Sequence, residues 1–259
     1  MNIIKSLFNK NNKQSEDRSN MESQTSKVVF TSETYVDKTP EVTEISESPD
    51  SYLREEFTVN VENSKEFQEA NADYLYTAPE ISGWFSEEEQ LLAFRTLLNF
   101  YSIQHSILDV GCGRGDLYQL LTQINPNINY KGIDYNENLI NLAKTKYGQD
   151  KFETAEFLQN EFVPESFDWV VASAVFNQSI NANMDTYSRN FIDKMFEVCK
   201  LGIAFNLMFK APEGLSNEEL QTLHIHNIGT WCEYLTSKYQ KTCMYSDYID
   251  GDVTFFISK

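Results

Sequence analysis

Large apolar residues are unevenly spread along the chain, and their pattern changes near residue 80. From about Asn9 to Ser51 the sequence is rich in Ser, Thr, Glu, Asn and Lys. Such a stretch cannot bury enough surface to offset its ordering entropy, so residues 1–51 are expected to form a disordered acidic arm. Between Tyr52 and Tyr76 aromatic and acidic residues mix, and 52–80 is expected to be a partly ordered linker or packing segment. Periodic patterns begin after that and continue to residue 259, so 81–259 is expected to be the folded domain. Ser86 is a good N-cap, and Glu89 three residues on completes a capping box. Leu91, Leu92, Phe94, Leu97 and Leu98 then give Gln90 to Tyr101 a broad apolar face, which predicts a helix. Strands are predicted at about 106–110, 129–134, 152–155, 168–174 and 202–209, and helices at about 115–124, 137–147, 185–199 and 217–237. Lys241–Tyr248, Asp250-Gly251 and Val253–Ser258 read as two strands joined by a turn. Strands alternating with helices predict an α/β fold, a doubly wound sheet with crossover helices.

One junction carries chemistry. Ile107-Leu108-Asp109-Val110 is a strand ending, and Gly111, Gly113 and Gly115 follow it at alternate positions before a helix begins. A glycine turn between strand and helix lets a nucleotide-like ligand approach the main chain. The dinucleotide fingerprint is G-x-G-x-x-G, whereas here Asp116 stands where the third glycine belongs. Tyr130-Lys131-Gly132-Ile133-Asp134 reads as a second strand ending in an acid, which can accept hydrogen bonds from both hydroxyls of a ribose.

An acid, three alternating glycines, a helix and a strand ending in acid resemble the class I S-adenosylmethionine-dependent methyltransferases. The resemblance continues through Ala155-Glu156-Phe157 at the third strand exit and Ser166-Phe167-Asp168-Trp169-Val170-Val171-Ala172-Ser173 at the fourth strand, and covers Gly83 to Lys259. It implies a Rossmann-like, seven-stranded, mostly parallel sheet with an antiparallel last strand, and S-adenosyl-L-methionine as cofactor. It also implies roles. Gly111, Gly113 and Gly115 form the turn beside the methionine part, and Asp109 orients its ammonium. Asp134 binds the ribose, Tyr135 flanks the adenine, Glu156 and Phe157 cover its amino edge, and Ser173 or Ala174 approaches the sulfonium. Arg114 lies near the methionine carboxylate or faces solvent. Phe176-Asn177, Ala204-Phe205-Asn206, Gly83-Trp84 and Gln90 further resemble a small branch of these enzymes. Its Arg-Phe pair is Ala93-Phe94 here, with Arg95 nearby, and the departure leaves any role of that arginine open.

No catalytic residue is fixed by this reading. Asn177 and Tyr248 are the weak candidates, and the alternative for Phe176-Asn177 is a packed ring and a loop-capping amide. His224 and His226 fall two apart on a predicted helix and are expected to point apart, so no metal site is expected.

Charge narrows the acceptor. The net charge is −18, with 8 Lys/Arg against 16 Asp/Glu in residues 1–80 and 13 against 23 in 81–259. Both parts lack the basic footprint that nucleic acid or an anionic membrane requires. The expected substrate is therefore a small molecule or a protein side chain. Four cysteines without paired spacing, no long apolar run and no signal-like start predict a cytoplasmic protein. Ile3, Ile4, Leu7 and Phe8 share one face of a short helix, so residues 1–13 read as either a docking peptide for a protein partner or an unstructured start. The alternative function is a methyltransferase-like fold used as a partner-binding or assembly module through this arm.

Overall fold

The computed structural model describes residues 27–30, 84, 86–100, 102, 104–180 and 183–259. The readings of residues 1–13 as a docking peptide and of 52–80 as a packing segment lie outside these. Within the arm expected to be disordered, Lys27–Phe30 forms strand β1.

The domain opens with helix α1, Glu87–Leu97, whose N-cap Ser86 accepts from the Glu89 backbone N–H. It continues with β2 (Ile107–Val110), α2 (Asp116–Ile124), β3 (Tyr130–Asp134), α3 (Glu137–Tyr147), β4 (Phe152–Thr154) and β5 (Phe167–Ala172). Then come α4 (Met184–Val198), β6 (Cys199–Met208), α5 (Asn217–Thr222), α6 (Ile228–Lys238), β7 (Lys241–Tyr245) and β8 (Asp252–Ser258). The strand order is β1-β7-β8-β6-β5-β2-β3-β4. Pairs among β2 to β6 are parallel, while β8 runs antiparallel to both β6 and β7. The seven strands of the domain thus form the expected Rossmann-like sheet with an antiparallel last strand. β1 adds an eighth, antiparallel to β7.

Strand order reverses between β2 and β5, which opens a crevice at the carboxyl ends of both. Side chains alternate across the sheet. Leu108, Val110, Val170, Ile203 and Phe205 pack on one face with Ile192 and Met195 of α4 and Trp231 and Leu235 of α6. Ile107, Tyr130, Val171, Ala204 and Phe256 pack on the other with Phe94 and Leu97 of α1, Leu117 and Leu121 of α2, and Ile140 of α3.

The helix expected at 217–237 is two helices. Asn227 accepts from the Thr230 N–H and caps α6, and Leu223 bridges to Gln178. The residues between run extended, because the strand-like pairing with the segment after β5 satisfies their backbone. Among the described residues no helix is long and apolar enough to cross a membrane.

Candidate active site

The glycine turn lies where the strand order reverses. Gly111 and Gly115 hold left-handed φ angles of 76° and 85°. A Cβ on Gly111 would come within 2.5 Å of Val175 Cγ2, and one on Gly115 within 2.8 Å of Phe152 Cζ. Conformation and space both exclude larger residues. Gly111 and Cys112 each donate a backbone N–H to the Ile133 carbonyl, at 2.8 and 3.0 Å, which fastens the turn to β3.

Asp134 ends β3 against this turn. One carboxylate oxygen accepts from Gly113 N at 2.9 Å and the other from Asn136 N at 2.8 Å. A carboxylate offers about four lone-pair sites, so about two remain for a ligand. Burial pushes its pKa up to about 6, against the pull of those two N–H groups. Asp109 is buried on β2 and accepts from the Tyr130 hydroxyl at 2.6 Å. Burial pushes it up to about 7; Tyr130 opposes the rise, and Asp134 and Asp116 add to it. Two buried acids side by side favour a cationic ligand, whose charge would return both to their ionised form.

Arg114 does not face solvent, the second of its two expected positions. Its Nε donates to Asp116 Oδ2 at 2.9 Å in a mostly buried ion pair. Gln90 Nε2 donates to the same oxygen at 3.2 Å and ties α1 to the first turn of α2. Tyr135 and Glu156 line an open depression of about 350 Å³ with Thr154, Ala155, Gln159 and Asn160. Phe157 is not among its lining residues. Its ring is 4% exposed and packs 4.7 Å from Phe191 and 5.2 Å from Phe162, since apolar burial against these rings outweighs an open edge.

On the other side of the turn, the chain leaves β5 through Ser173 and Ala174. The Ser173 hydroxyl oxygen is buried with no hydrogen-bond partner among the described residues. The Ala174 N–H donates to Asn206 Oδ1 at 2.8 Å, and Asn206 Nδ2 donates to Asp252 Oδ2 at 2.6 Å. Tyr248, a weak catalytic candidate, donates its hydroxyl to Asp252 Oδ2 at 3.1 Å and lies 2.7 Å from Thr254 Oγ1. Burial pushes Asp252 up to about 7, against the donors Asn206, Tyr248 and Val253 N, with Glu89 of α1 adding to the rise. Sequence reasoning missed Asp252. The available signal was an acid opening a mostly apolar strand.

Asn177, the other weak candidate, is 9% exposed and accepts from Met208 N at 3.1 Å. Phe176 is fully buried. Both occupy the structural positions of the packed-ring and capping-amide alternative. His224 and His226 do not point apart. In the extended link alternate residues share a side, and their rings lie 4.4 Å apart. Asp185 completes a trio whose ligand atoms lie within 4.8 Å of one another. His226 is committed elsewhere, however. The indole N–H of Trp231 donates to its Nδ1 at 3.1 Å, so Nε2 carries the proton and donates to the Phe176 carbonyl at 2.9 Å. Burial lowers its pKa to about 4, and it stays neutral with both nitrogens engaged.

Residues 103–245 match the methyltransferase domain family. The chain belongs to that family. It is a class I S-adenosylmethionine-dependent methyltransferase domain in strand order, glycine turn and strand-end acids. It is similar to ribosomal RNA small subunit methyltransferase C of Photorhabdus laumondii, with 24% identity over 140 residues, 51% of this chain and 41% of the relative. It is also similar to malonyl-[acyl-carrier protein] O-methyltransferase of Priestia megaterium, with 27% identity over 129 residues, 49% of this chain and 44% of the relative. The methyltransferase domain thus spans less than half the length of either curated relative. Magnesium protoporphyrin IX methyltransferase from Synechocystis PCC 6803, solved with bound SAH, superposes with a TM-score of 0.53 at 15% identity, covering 81% of this chain and all of that one. That likeness is one of fold.

Proposed function

We propose that this methyltransferase domain binds S-adenosylmethionine at the glycine turn and transfers its methyl group, by in-line displacement, to a small molecule or a protein side chain. The observation that carries the reading is Asp134, fixed by Gly113 N–H beside the turn with acceptor capacity to spare. Three further features fit the cofactor. The glycine turn lies where the strand order reverses, the depression at Tyr135 and Glu156 admits a planar base, and the buried Ser173 hydroxyl has a donor to offer. Asp109 would hold the ammonium group. The bound sulfonium supplies a methyl that is already activated, so the chain mainly positions the attacking atom behind it. The charge of −18 supports an acceptor other than nucleic acid. A cytoplasmic setting is part of the reading, supported by four free thiols.

Calorimetry with S-adenosylmethionine tests it. Wild-type protein is expected to bind, and Asp134→Ala to lose tenfold or more in affinity, because about two charge-assisted hydrogen bonds disappear. No binding to wild type, or equal affinity in the variant, overturns the proposal.

A further inference from the structure

The turn after β5 is held in a conformation that its own residue disfavours. Ala174 has a φ of 60°, in the left-handed region where an L side chain crowds its backbone. The bond from its N–H to Asn206 Oδ1 opposes relaxation of that turn. Asn206 is fully buried, and both ends of its amide are used. Turned over, the amide would set an N–H₂ against the Ala174 N–H and an oxygen against the Asp252 carboxylate. Asp252 and the Ala174 N–H together fix which way the amide points. It is itself held by the Val253 N–H at 3.0 Å and by the Tyr248 hydroxyl, which Thr254 anchors from below. The chain of contacts runs from β8 through β6 to the exit of β5. It ends beside Ser173, whose buried hydroxyl is unbonded among the described residues.

We propose that Asn206 and Asp252 are positioning residues for the methyl-donor pocket: Asp252 orients the Asn206 amide, and the amide holds Ser173 and Ala174 in the left-handed turn that faces the sulfonium. The proposal rests on the cofactor-site reading above. It treats the two residues as acting through the backbone of the turn and not through contact with the acceptor. Its consequence is that a residue at 174 that adopts the turn unaided makes the relay dispensable.

The test is calorimetry with S-adenosylmethionine on full-length variants, with circular dichroism to follow the fold. Asn206→Ala is expected to weaken binding tenfold or more. Adding Ala174→Gly, which permits left-handed φ without cost, is expected to recover at least threefold. Asp252→Ala leaves the Asn206 amide in place but removes one of its two orienting partners, and is expected to weaken binding by about threefold to tenfold, again with recovery by Ala174→Gly. Where Asn206→Ala does not fold, the Asp252→Ala pair decides. Unchanged affinity, or a loss that Ala174→Gly does not recover, overturns the relay. Asp134→Ala measured alongside separates the two failures. If it keeps wild-type affinity the cofactor-site reading fails, and if it loses binding while Asn206→Ala does not, only the relay fails.

Discussion

Asp109→Asn separates what the fold wants from what the site wants. Burial lifts the Asp109 carboxyl from its ordinary 3.8 to about 7 in the folded protein. A folded-state pKa above the unfolded one means that the folded chain binds the proton more tightly. The group therefore favours the fold most below about pH 4, and its contribution declines as pH rises to about 7 and then levels off. Each pH unit inside that window corresponds to about 1.4 kcal/mol. Two of those units lie between pH 5 and pH 8, so wild type is expected to lose about 3 kcal/mol through this group over that interval. Asparagine does not titrate. Its amide oxygen can still accept from the Tyr130 hydroxyl, whereas its N–H₂ group gains no evident partner and imposes a constant penalty. The informative quantity is thus the difference between the two proteins at the two pH values, in which the other buried acids largely cancel. Urea denaturation of ligand-free protein at pH 5 and pH 8 measures it. The variant is expected to gain about 3 kcal/mol on wild type across the interval while binding S-adenosylmethionine less tightly. A difference below about 1 kcal/mol, or one of opposite sign, refutes the account of Asp109 as a carboxyl that is buried against its preference.

Two further outcomes follow from packing. Gly111→Ala combines a left-handed φ with a 2.5 Å approach to a stiff β-branched side chain, and is expected to cost about 2–4 kcal/mol in urea denaturation. Adding Val175→Ala should return part of that cost, and a fully additive loss would contradict the steric account. Trp231→Phe removes the indole N–H that donates to His226 Nδ1 and is expected to cost about 2–4 kcal/mol. In wild type the His226 ring should show no titration by NMR between pH 5.5 and 8, since its pKa is lowered to about 4, and a midpoint near the ordinary 6.5 would refute the fixed tautomer.

Much of the glycine turn and its flanking strands was legible because their rules are local. Backbone geometry demands glycine at 111 and 115, and the acids at 109 and 134 lie at the carboxyl ends of adjacent parallel strands, one residue before the end of β2 and at the end of β3. Their neighbours in sequence are also their neighbours in space. Asp252 was not legible, because its meaning comes from Asn206 and Tyr248 on other parts of the fold. Phe157 shows what sequence cannot display. The resemblance implies that it covers the adenine's amino edge with Glu156, and the rings of Phe162 and Phe191 packed against it are a feature that only tertiary structure reveals. The break between α5 and α6 had a local sign in Asn227, an N-cap residue in mid-pattern. The apolar spacing on either side masked it.

The reversed direction of β8 has a consequence for the order of events in folding. A parallel strand brings its last residue to the carboxyl edge of the sheet, whereas an antiparallel one brings its first, which is how Asp252 arrives there. The Ala174–Asn206 and Asn206–Asp252 bonds join residues 32 and 46 positions apart. Contacts of such long sequence separation incur their loop-closure entropy before any reward, and they tend to form late. The glycine turn needs only β2, β3 and the residues between them. During refolding, the glycine turn proposed to cradle the donor can therefore take shape early, while the Ala174 turn waits for the final hairpin to dock.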